Sequence, residues 1–169
     1  MTYAEIVILA TLMKKGRHGY EIKKTAELIF GDSGTINNNT LYTSLHKFQK
    51  MGAVVSEVHA TSGKPDRHVY RLTENGKEIF REMVRDFPPE TAKNDMEFFA
   101  RVAFFRLLEP EERLAILRAR KKAMEERLAR YEELCKTCGS RSLSYEEKVV
   151  RFMGDQTRSE IGWIDSIEP

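Results

Sequence analysis

Residues 38–72, NNTLYTSLHKFQKMGAVVSEVHATSGKPDRHVYRL, decide the fold of this 169-residue chain. The stretch opens with apolar residues at steps of four and three, the spacing of one buried helix face: Leu41, Leu45 and Phe48. One of the asparagines at 37–39 can cap the start of this helix, and Gly52 can supply the left-handed conformation that ends it. The stretch therefore predicts an amphipathic helix that packs one face in a core and exposes the other.

The exposed face of this helix carries side chains that form hydrogen bonds or bear positive charge. They are Asn38, Asn39, Thr40, Tyr42, Thr43, His46, Lys47 and Lys50. Asn can pair with adenine edges, Thr can offer a methyl group to thymine, and Lys can neutralise phosphate. A polar face is also the default for any surface helix, so this face alone does not separate a DNA-binding helix from a solvated one.

A β-hairpin follows the helix. Residues 53–59 are rich in β-branched side chains, residues 61–66 form a turn cluster, and residues 68–72 return as a strand. The loop of this hairpin carries Lys64 and Arg67. A helix followed by a basic wing is the arrangement by which a winged helix places one element in the major groove and another against the flanking phosphates. The order predicts a DNA-binding regulator whose loop cations contact phosphate.

Three further helices flank this unit. Residues 4–15 and 18–30 carry helical apolar spacings upstream, and Thr73 caps a third helix that ends before Pro88 and Pro89. The apolar positions are Ile6, Leu9, Ala10 and Met13 in the first helix, Ile22, Ala26 and Ile29 in the second, and Ile79, Phe80, Met83, Val84 and Phe87 in the third. The predicted fold class is mainly α, because three helices, a hairpin wing and a fourth helix make a winged helix-turn-helix domain.

A set of short fragments carries a family resemblance: Ile8-Leu9, His18-Gly19-Tyr20-Glu21-Ile22, Thr40-Leu41-Tyr42 with Leu45 and Gly52, Ser62-Gly63-Lys64-Pro65, and Tyr70-Arg71-Leu72-Thr73-Glu74 with Gly76. Through them residues 4–87 resemble the PadR-like winged-helix transcriptional regulators. The resemblance implies that Tyr42 and its neighbours read the groove, that Lys64 and Arg67 contact phosphate, and that C-terminal helices clasp a partner chain. It also implies repression more often than activation. The chain departs from the family at Asp66, which should repel phosphate where a basic residue is usual, and at Lys64, where Arg is common.

The clearest boundary divides a winged-helix DNA-binding domain, residues 1–88, from a C-terminal α-helical dimerisation domain, residues 89–169. Asp95 is expected to cap a short aromatic helix, Glu109 precedes a long helix, and Ser144 begins the capping box of the last helix. The apolar residues of the three helices are, in order, Phe98, Phe99, Val102, Phe104 and Phe105; Leu114, Leu117, Met124, Leu128, Tyr131 and Cys135, with Lys121 interrupting the stripe; and Val149, Phe152, Met153, Trp163, Ile164 and Ile167. A pair of helices cannot bury stripes on more than one side, so a symmetric homodimer is expected.

The distribution of charge agrees with nucleic-acid binding but is a weak signal. The net charge is +2, and residues 1–88 hold 13 basic and 10 acidic residues, so +3, while the remainder holds 15 and 16, so −1. No segment has the apolar length of a membrane span, and the N-terminus lacks the pattern of a signal peptide. A cytoplasmic protein is therefore expected.

Two features leave other functions open. Cys135 and Cys138 have the spacing of a redox pair, which would make the protein a redox-sensing regulator, or of half a zinc site. An ordinary helix end with two reduced thiols is the preferred explanation, with redox sensing next and zinc last. Four aromatic residues could line a pocket for a small aromatic or hydrophobic effector: Phe98, Phe99, Tyr145 and Trp163. Aromatic residues at helical spacing are more often core or interface residues, so no ligand-binding residue is assigned, and no metal or cofactor is expected.

Catalysis finds little support in the sequence. It contains no phosphate-cradling glycine loop, no strand-turn-helix nucleophile motif and no HExxH motif, so no catalytic residue is assigned and no enzyme is expected. The main rival function is a winged helix that binds polypeptide instead of DNA. Salt separates the two, because binding to phosphates weakens steeply as salt rises and an apolar protein interface responds little.

Overall fold

A computed structural model describes residues 2–59, 67–137 and 144–167 of the chain. Its main elements are α1 (Tyr3–Leu12), β1 (Arg17–His18), α2 (Gly19–Phe30), α3 (Asn38–Lys50), β2 (Val54–His59), β3 (Arg67–Leu72), α4 (Glu74–Arg85), α5 (Asp95–Val102), α6 (Pro110–Thr137) and α7 (Tyr145–Ser166). Short 3₁₀ turns occupy Gly31–Gly34, Thr91–Lys93 and Phe105–Leu107. The predicted class is confirmed: the fold is mainly α, a winged helix followed by a C-terminal helical region. Among the described residues, no helix is both long and apolar enough to cross a membrane.

The hairpin belongs to a three-stranded antiparallel sheet with the strand order β1-β3-β2. β2 pairs with β3 from Val54 opposite Leu72 to His59 opposite Arg67. Arg67 is thus the first residue of a strand, and its prediction as a loop residue is wrong because the ladder extends one residue further than the β-branched pattern indicates. β1 pairs with β3 through Arg17, opposite Tyr70. The sequence did not predict β1, since two residues carry no periodicity.

Helix α1 lies at the centre of the first compact unit, which comprises the chain up to Asp86 together with Phe99–Leu108. It packs against α2, α3, α4 and β3. The sequence predicted one buried face over residues 4–15, but the helix ends at Leu12, and Val7 and Ile8 are as fully buried as Ile6. A helix that is apolar nearly all round must be covered on several sides, and α1 is.

Helices α2 and α4, next to α1, bury most of the apolar residues that the sequence predicted to be buried, with local exceptions. Ile22 and Ala26 of α2 are buried as predicted, whereas Ile29, in the last turn, is exposed. Thr73 caps α4 as predicted, its side chain accepting a hydrogen bond from the Gly76 N–H at 3.0 Å. α4 ends at Arg85, so Phe87 lies beyond the helix and its predicted place on the apolar face is wrong. The cause is Pro88, which disfavours helical backbone in the residue before it.

The second unit comprises Phe87–Phe98 and the chain from Glu109 onward. Its long helices α6 and α7 are antiparallel, since Lys121 pairs with Asp165 near one end and Glu132 pairs with Arg158 nearer the other. The capping box predicted at Ser144 is present: the Ser144 N–H donates to the Glu147 carboxylate at 2.6 Å, and the Ser144 hydroxyl accepts from the Glu147 N–H.

A buried arginine in this unit was not predicted. The side chain of Arg120 is 0% exposed and donates hydrogen bonds to the carboxylates of Glu160 and Asp95, each at 2.7 Å, and to the carbonyl oxygen of Ala92 at 2.8 Å. Its guanidinium also lies 5.0 Å from the centre of the Phe98 ring. Three acceptors and an aromatic face replace the water that a buried guanidinium loses.

This arrangement corrects the predicted start of α5. The side chain of Asn94 caps the helix by accepting a hydrogen bond from the Glu97 N–H at 3.1 Å, so the prediction of Asp95 as the cap is wrong. The carboxylate of Asp95 binds Arg120 instead.

We expect Arg120→Ala to lower the free energy of unfolding by about 3 kcal/mol, because it leaves the half-buried Glu160 carboxylate without its cation. The matched control is Lys122→Ala, an exposed position on the same helix, which should change stability by less than about 1 kcal/mol. Urea unfolding followed by the fluorescence of Trp163, the one tryptophan in the chain, measures both. Equal effects of the two substitutions would contradict the structural role of Arg120.

Candidate nucleic-acid interface

Helix α3 presents the face that the sequence predicted. The carbonyl oxygen of the Asn37 side chain accepts a hydrogen bond from the Thr40 N–H at 2.8 Å and caps the helix, and Gly52 ends it with a φ of 68°. Leu41, Leu45 and Phe48 are buried. Because one face is held in the core, the other is directed outward.

Seven of the nine predicted contact residues share this outward face. Asn38, Asn39, Tyr42, Thr43, His46 and Lys47 are exposed, and Thr40 is half-buried. The other two belong to the hairpin: Lys64 lies outside the described residues, as do Asp66 and the rest of the predicted turn, and Arg67 is described only as a residue of β3. The structure therefore brings the helical set together.

A cation from α2 joins the start of this face. The ammonium group of Lys23 donates a hydrogen bond to the side-chain oxygen of Asn38 at 3.1 Å. Lys23 has no signal in the sequence, because nothing in the pattern of α2 indicates that this position meets α3. Its charge adds to the positive end of the α3 helix dipole, and both features attract anions.

Tyr42 stands on the outward face beside the start of α2. Its side chain is 52% exposed, and a Cβ atom at Gly19 would lie 3.0 Å from its hydroxyl oxygen. Gly19 therefore allows α2 to approach the Tyr42 ring. Behind it, burial raises the pKa of Tyr70 above its ordinary value, and the nearby Tyr42 adds to the rise. The hydroxyl of Tyr42 is thus close enough to the buried Tyr70 to influence its pKa.

Lys47 is engaged within the chain. Its ammonium group lies 2.6 Å from a carboxylate oxygen of Glu5, whose side chain is only 10% exposed. The two residues are 42 positions apart, so local pattern could not reveal the pair. The lysine that was predicted to contact phosphate therefore has a carboxylate beside it.

In the second unit, an apolar face of α7 is exposed. Helical spacing places Tyr145, Val149 and Phe152 on one face, and Phe152 is 60% exposed. Ile164, on another side of the helix, is fully buried. The surplus apolar surface that the sequence predicted for these helices is therefore present on α7.

Three of the aromatic residues considered for an effector pocket belong to the second unit: Phe98, Tyr145 and Trp163. Phe98 is buried with its ring 6.1 Å from that of Trp163, edge to face, whereas Tyr145 is exposed beside Lys148. A cavity of about 300 Å³ lies instead between α6 and α7, with a mixed apolar and charged lining that includes Leu128, Tyr131, Cys135, Val150, Gly154 and Arg158. Cys135 is half-buried there, and its predicted partner Cys138 lies outside the described residues.

Comparison with known families agrees with the geometry of the first unit. Residues 8–82 match the family described as "Transcriptional regulator PadR-like family". Residues 8–82 thus form a PadR-like domain. Residues 96–168 match a second family description, "Virulence activator alpha C-term", which covers most of the C-terminal helices.

Individual relatives of this PadR-like chain are distant. A crystal structure of Bacillus subtilis PadR in complex with operator DNA is 20% identical, covers 98% of this chain and 97% of that one, and has a TM-score of 0.47. The same protein in complex with p-coumaric acid is 19% identical, with coverages of 98% and 93% and a TM-score of 0.41. An uncharacterized protein of Lysinibacillus sphaericus is 27% identical over 85 residues, which are 50% of this chain and 78% of that protein.

In this PadR-like chain we expect Gly19→Ala to displace the ring of Tyr42, because the new methyl group would press on its hydroxyl. The free energy of unfolding should change by less than about 1 kcal/mol, since the better helix propensity of Ala offsets part of the displacement. NMR spectra of the Tyr42 ring measure the shift, with Lys24→Ala, an exposed change on the same helix, as the control. Tyr42 signals that stay in place in Gly19→Ala would contradict the close approach.

Proposed function

We propose that this chain is a sequence-specific DNA-binding transcriptional regulator that binds operator DNA as a homodimer and acts as a repressor. The outward face of α3 is the observation that carries the proposal, because it gathers seven polar or basic side chains beside a hairpin in a PadR-like chain. We also propose a cytoplasmic location, because a regulator of this kind acts where it meets the DNA of the cell. A helix with such a face, followed by a hairpin, is a common DNA-reading arrangement.

The proposed interface divides into base contacts and phosphate contacts. Residues of the first two turns of α3 are proposed to meet base edges in the major groove: Asn38, Asn39, Thr40, Tyr42 and Thr43, with His46 one turn later. Lys64 and Arg67 on the hairpin, and Lys23 beside the start of α3, are proposed to meet phosphates. Base contacts supply specificity, whereas phosphate contacts supply affinity for any duplex.

We expect Tyr42→Ala and Asn39→Ala to weaken operator binding by about 1 to 3 kcal/mol each and to leave binding to random duplex nearly unchanged. The reason is that both residues lie on the polar face and neither carries a charge that could neutralise phosphate. Genomic mapping of bound sites would first supply the operator, and fluorescence anisotropy at several salt concentrations would then measure affinity.

Lys64→Ala is the control for this experiment, because a phosphate contact should weaken operator and random duplex by similar factors. Unchanged operator affinity in both α3 variants would contradict the proposed groove-reading role. If the unaltered protein instead binds its partner with little response to salt, that partner is more consistent with a polypeptide than with DNA.

The exposed apolar face of α7 supports the homodimer. Val149 and Phe152 are more than half exposed, and large apolar side chains aligned on one helix face typically pack against a partner. A second copy of the chain is the simplest occupant, since a two-fold dimer also reads two half-sites of an operator. Linking two DNA-binding units raises the effective concentration of the second after the first has bound.

We expect the double substitution Val149→Ser with Phe152→Ser to raise the dimer dissociation constant by about 100-fold, because each substitution, counted over both copies of the dimer, removes roughly 1 to 2 kcal/mol of apolar burial. The control is Arg151→Ser, an exposed polar change on the same helix away from the apolar face. Sedimentation velocity over a concentration series gives the dissociation constants. A double variant with the same dimer dissociation constant as the unaltered protein would refute this interface.

The proposal further includes release from DNA by a small aromatic or hydrophobic effector. The cavity between α6 and α7 supports it, because apolar side chains and Arg158 together line a space large enough for a small molecule. Transcription in vitro from the mapped operator, with and without aromatic compounds, tests both the effector and the sign of regulation. Increased transcription on addition of the protein alone would replace repression with activation.

A further inference from the structure

The pair formed by Glu5 and Lys47 joins the central helix of the winged-helix unit to the proposed DNA-binding face. One carboxylate oxygen of Glu5 accepts the hydrogen bond from Lys47 at 2.6 Å, and the other accepts from the Thr2 N–H at 3.0 Å. The side chain of Lys47 remains 46% exposed, whereas that of Glu5 is 10% exposed. The lysine therefore reaches solvent while the carboxylate stays fixed behind it.

A carboxylate in this position changes what Lys47 can do. A lysine neutralises a DNA phosphate by acting as a mobile positive charge, which releases condensed counterions. Glu5 lies within hydrogen-bonding distance of that charge, and its two bonds and its burial prevent it from swinging away. A phosphate that approached Lys47 would also meet the repulsion of Glu5.

We propose that Glu5 is a positioning residue of the proposed DNA interface, which neutralises Lys47 and keeps it as a hydrogen-bond donor of fixed position instead of a phosphate-neutralising cation. The inference rests on the proposed function, because it concerns the same face of α3. Two of the three N–H donors of Lys47 stay available to the groove while its charge is offset. The affinity of the interface for DNA then depends less on salt than the number of exposed cations on α3 implies.

The test is the salt dependence of binding to a random duplex. The quantity compared between variants is the slope of log affinity against log salt. Glu5→Gln frees the lysine while its amide oxygen can still accept from the Thr2 N–H. That variant should steepen the slope by about 0.9 and raise affinity for random duplex by up to about eightfold at 0.1 M salt.

Two controls separate this effect from general changes in charge or folding. Glu27→Gln removes an equal charge from an exposed position on α2 and should leave the slope unchanged. Adding Lys47→Met to Glu5→Gln should return the slope to that of the unaltered protein. Thermal unfolding of each variant verifies that the fold is retained.

The outcomes distinguish this inference from the proposed function. If the unaltered protein shows no salt-dependent binding to DNA, the proposed function fails and the inference fails with it. If the unaltered protein binds, then a flatter slope in the double variant Glu5→Gln with Lys47→Met than in the unaltered protein, or an unchanged slope in folded Glu5→Gln, overturns the role of Glu5 alone. An equal steepening in Glu27→Gln overturns it as well. The double variant decides the matter even if Glu5→Gln alone does not fold, since it removes both charges and leaves no buried carboxylate without its cation.

Discussion

The burial of α1 on nearly every side is the constraint on which the winged-helix unit depends. α2, α3, α4 and β3 all pack against this one helix, so each must direct an apolar face toward it. For α3 this leaves a single rotation about its axis, with Leu41, Leu45 and Phe48 inward and the polar residues outward. The exposed face is therefore a consequence of packing. Substitutions on that face can change binding while the fold is retained, because little of the core depends on them.

The same packing places charge where the sequence alone does not show it. Glu5 belongs to α1 and is nearly buried, yet its carboxylate reaches the outward face of α3 and binds Lys47. A count of basic residues on α3 thus overstates the positive charge that DNA would meet there. The modest charge of +3 over residues 1–88 agrees with this, and in the proposed interface we expect shape and hydrogen bonding to matter more than net charge.

Local pattern predicted what depends on local physics. Five predicted features each rest on residues within about four positions of one another: the helical pattern at residues 38–50, its cap by one of the asparagines at 37–39, its Gly52 end, the Thr73 cap and the Ser144 capping box. All are present, with Asn37 as the asparagine that caps the helix. The features that were missed join distant parts of the chain: β1 with β3, Lys23 with Asn38, Glu5 with Lys47, and Arg120 with Glu160. Arg120 is the clearest case. A charged residue on a long helix is normally solvated, and only the convergence of three acceptors explains its burial.

The individual contact residues, the dimer and the division of the chain at residue 88 stay predictions, for a related physical reason. Specificity and association depend on the partner as much as on the chain, and a helix face exposes the same side chains whether it meets water, DNA or polypeptide. What the structure adds is a difference between two exposed faces. The face of α3 is polar with one neutralised cation, whereas that of α7 is apolar over Val149 and Phe152. The first suits a hydrated, charged partner and the second suits a surface that excludes water, so different partners are expected at the two faces even before either partner is identified.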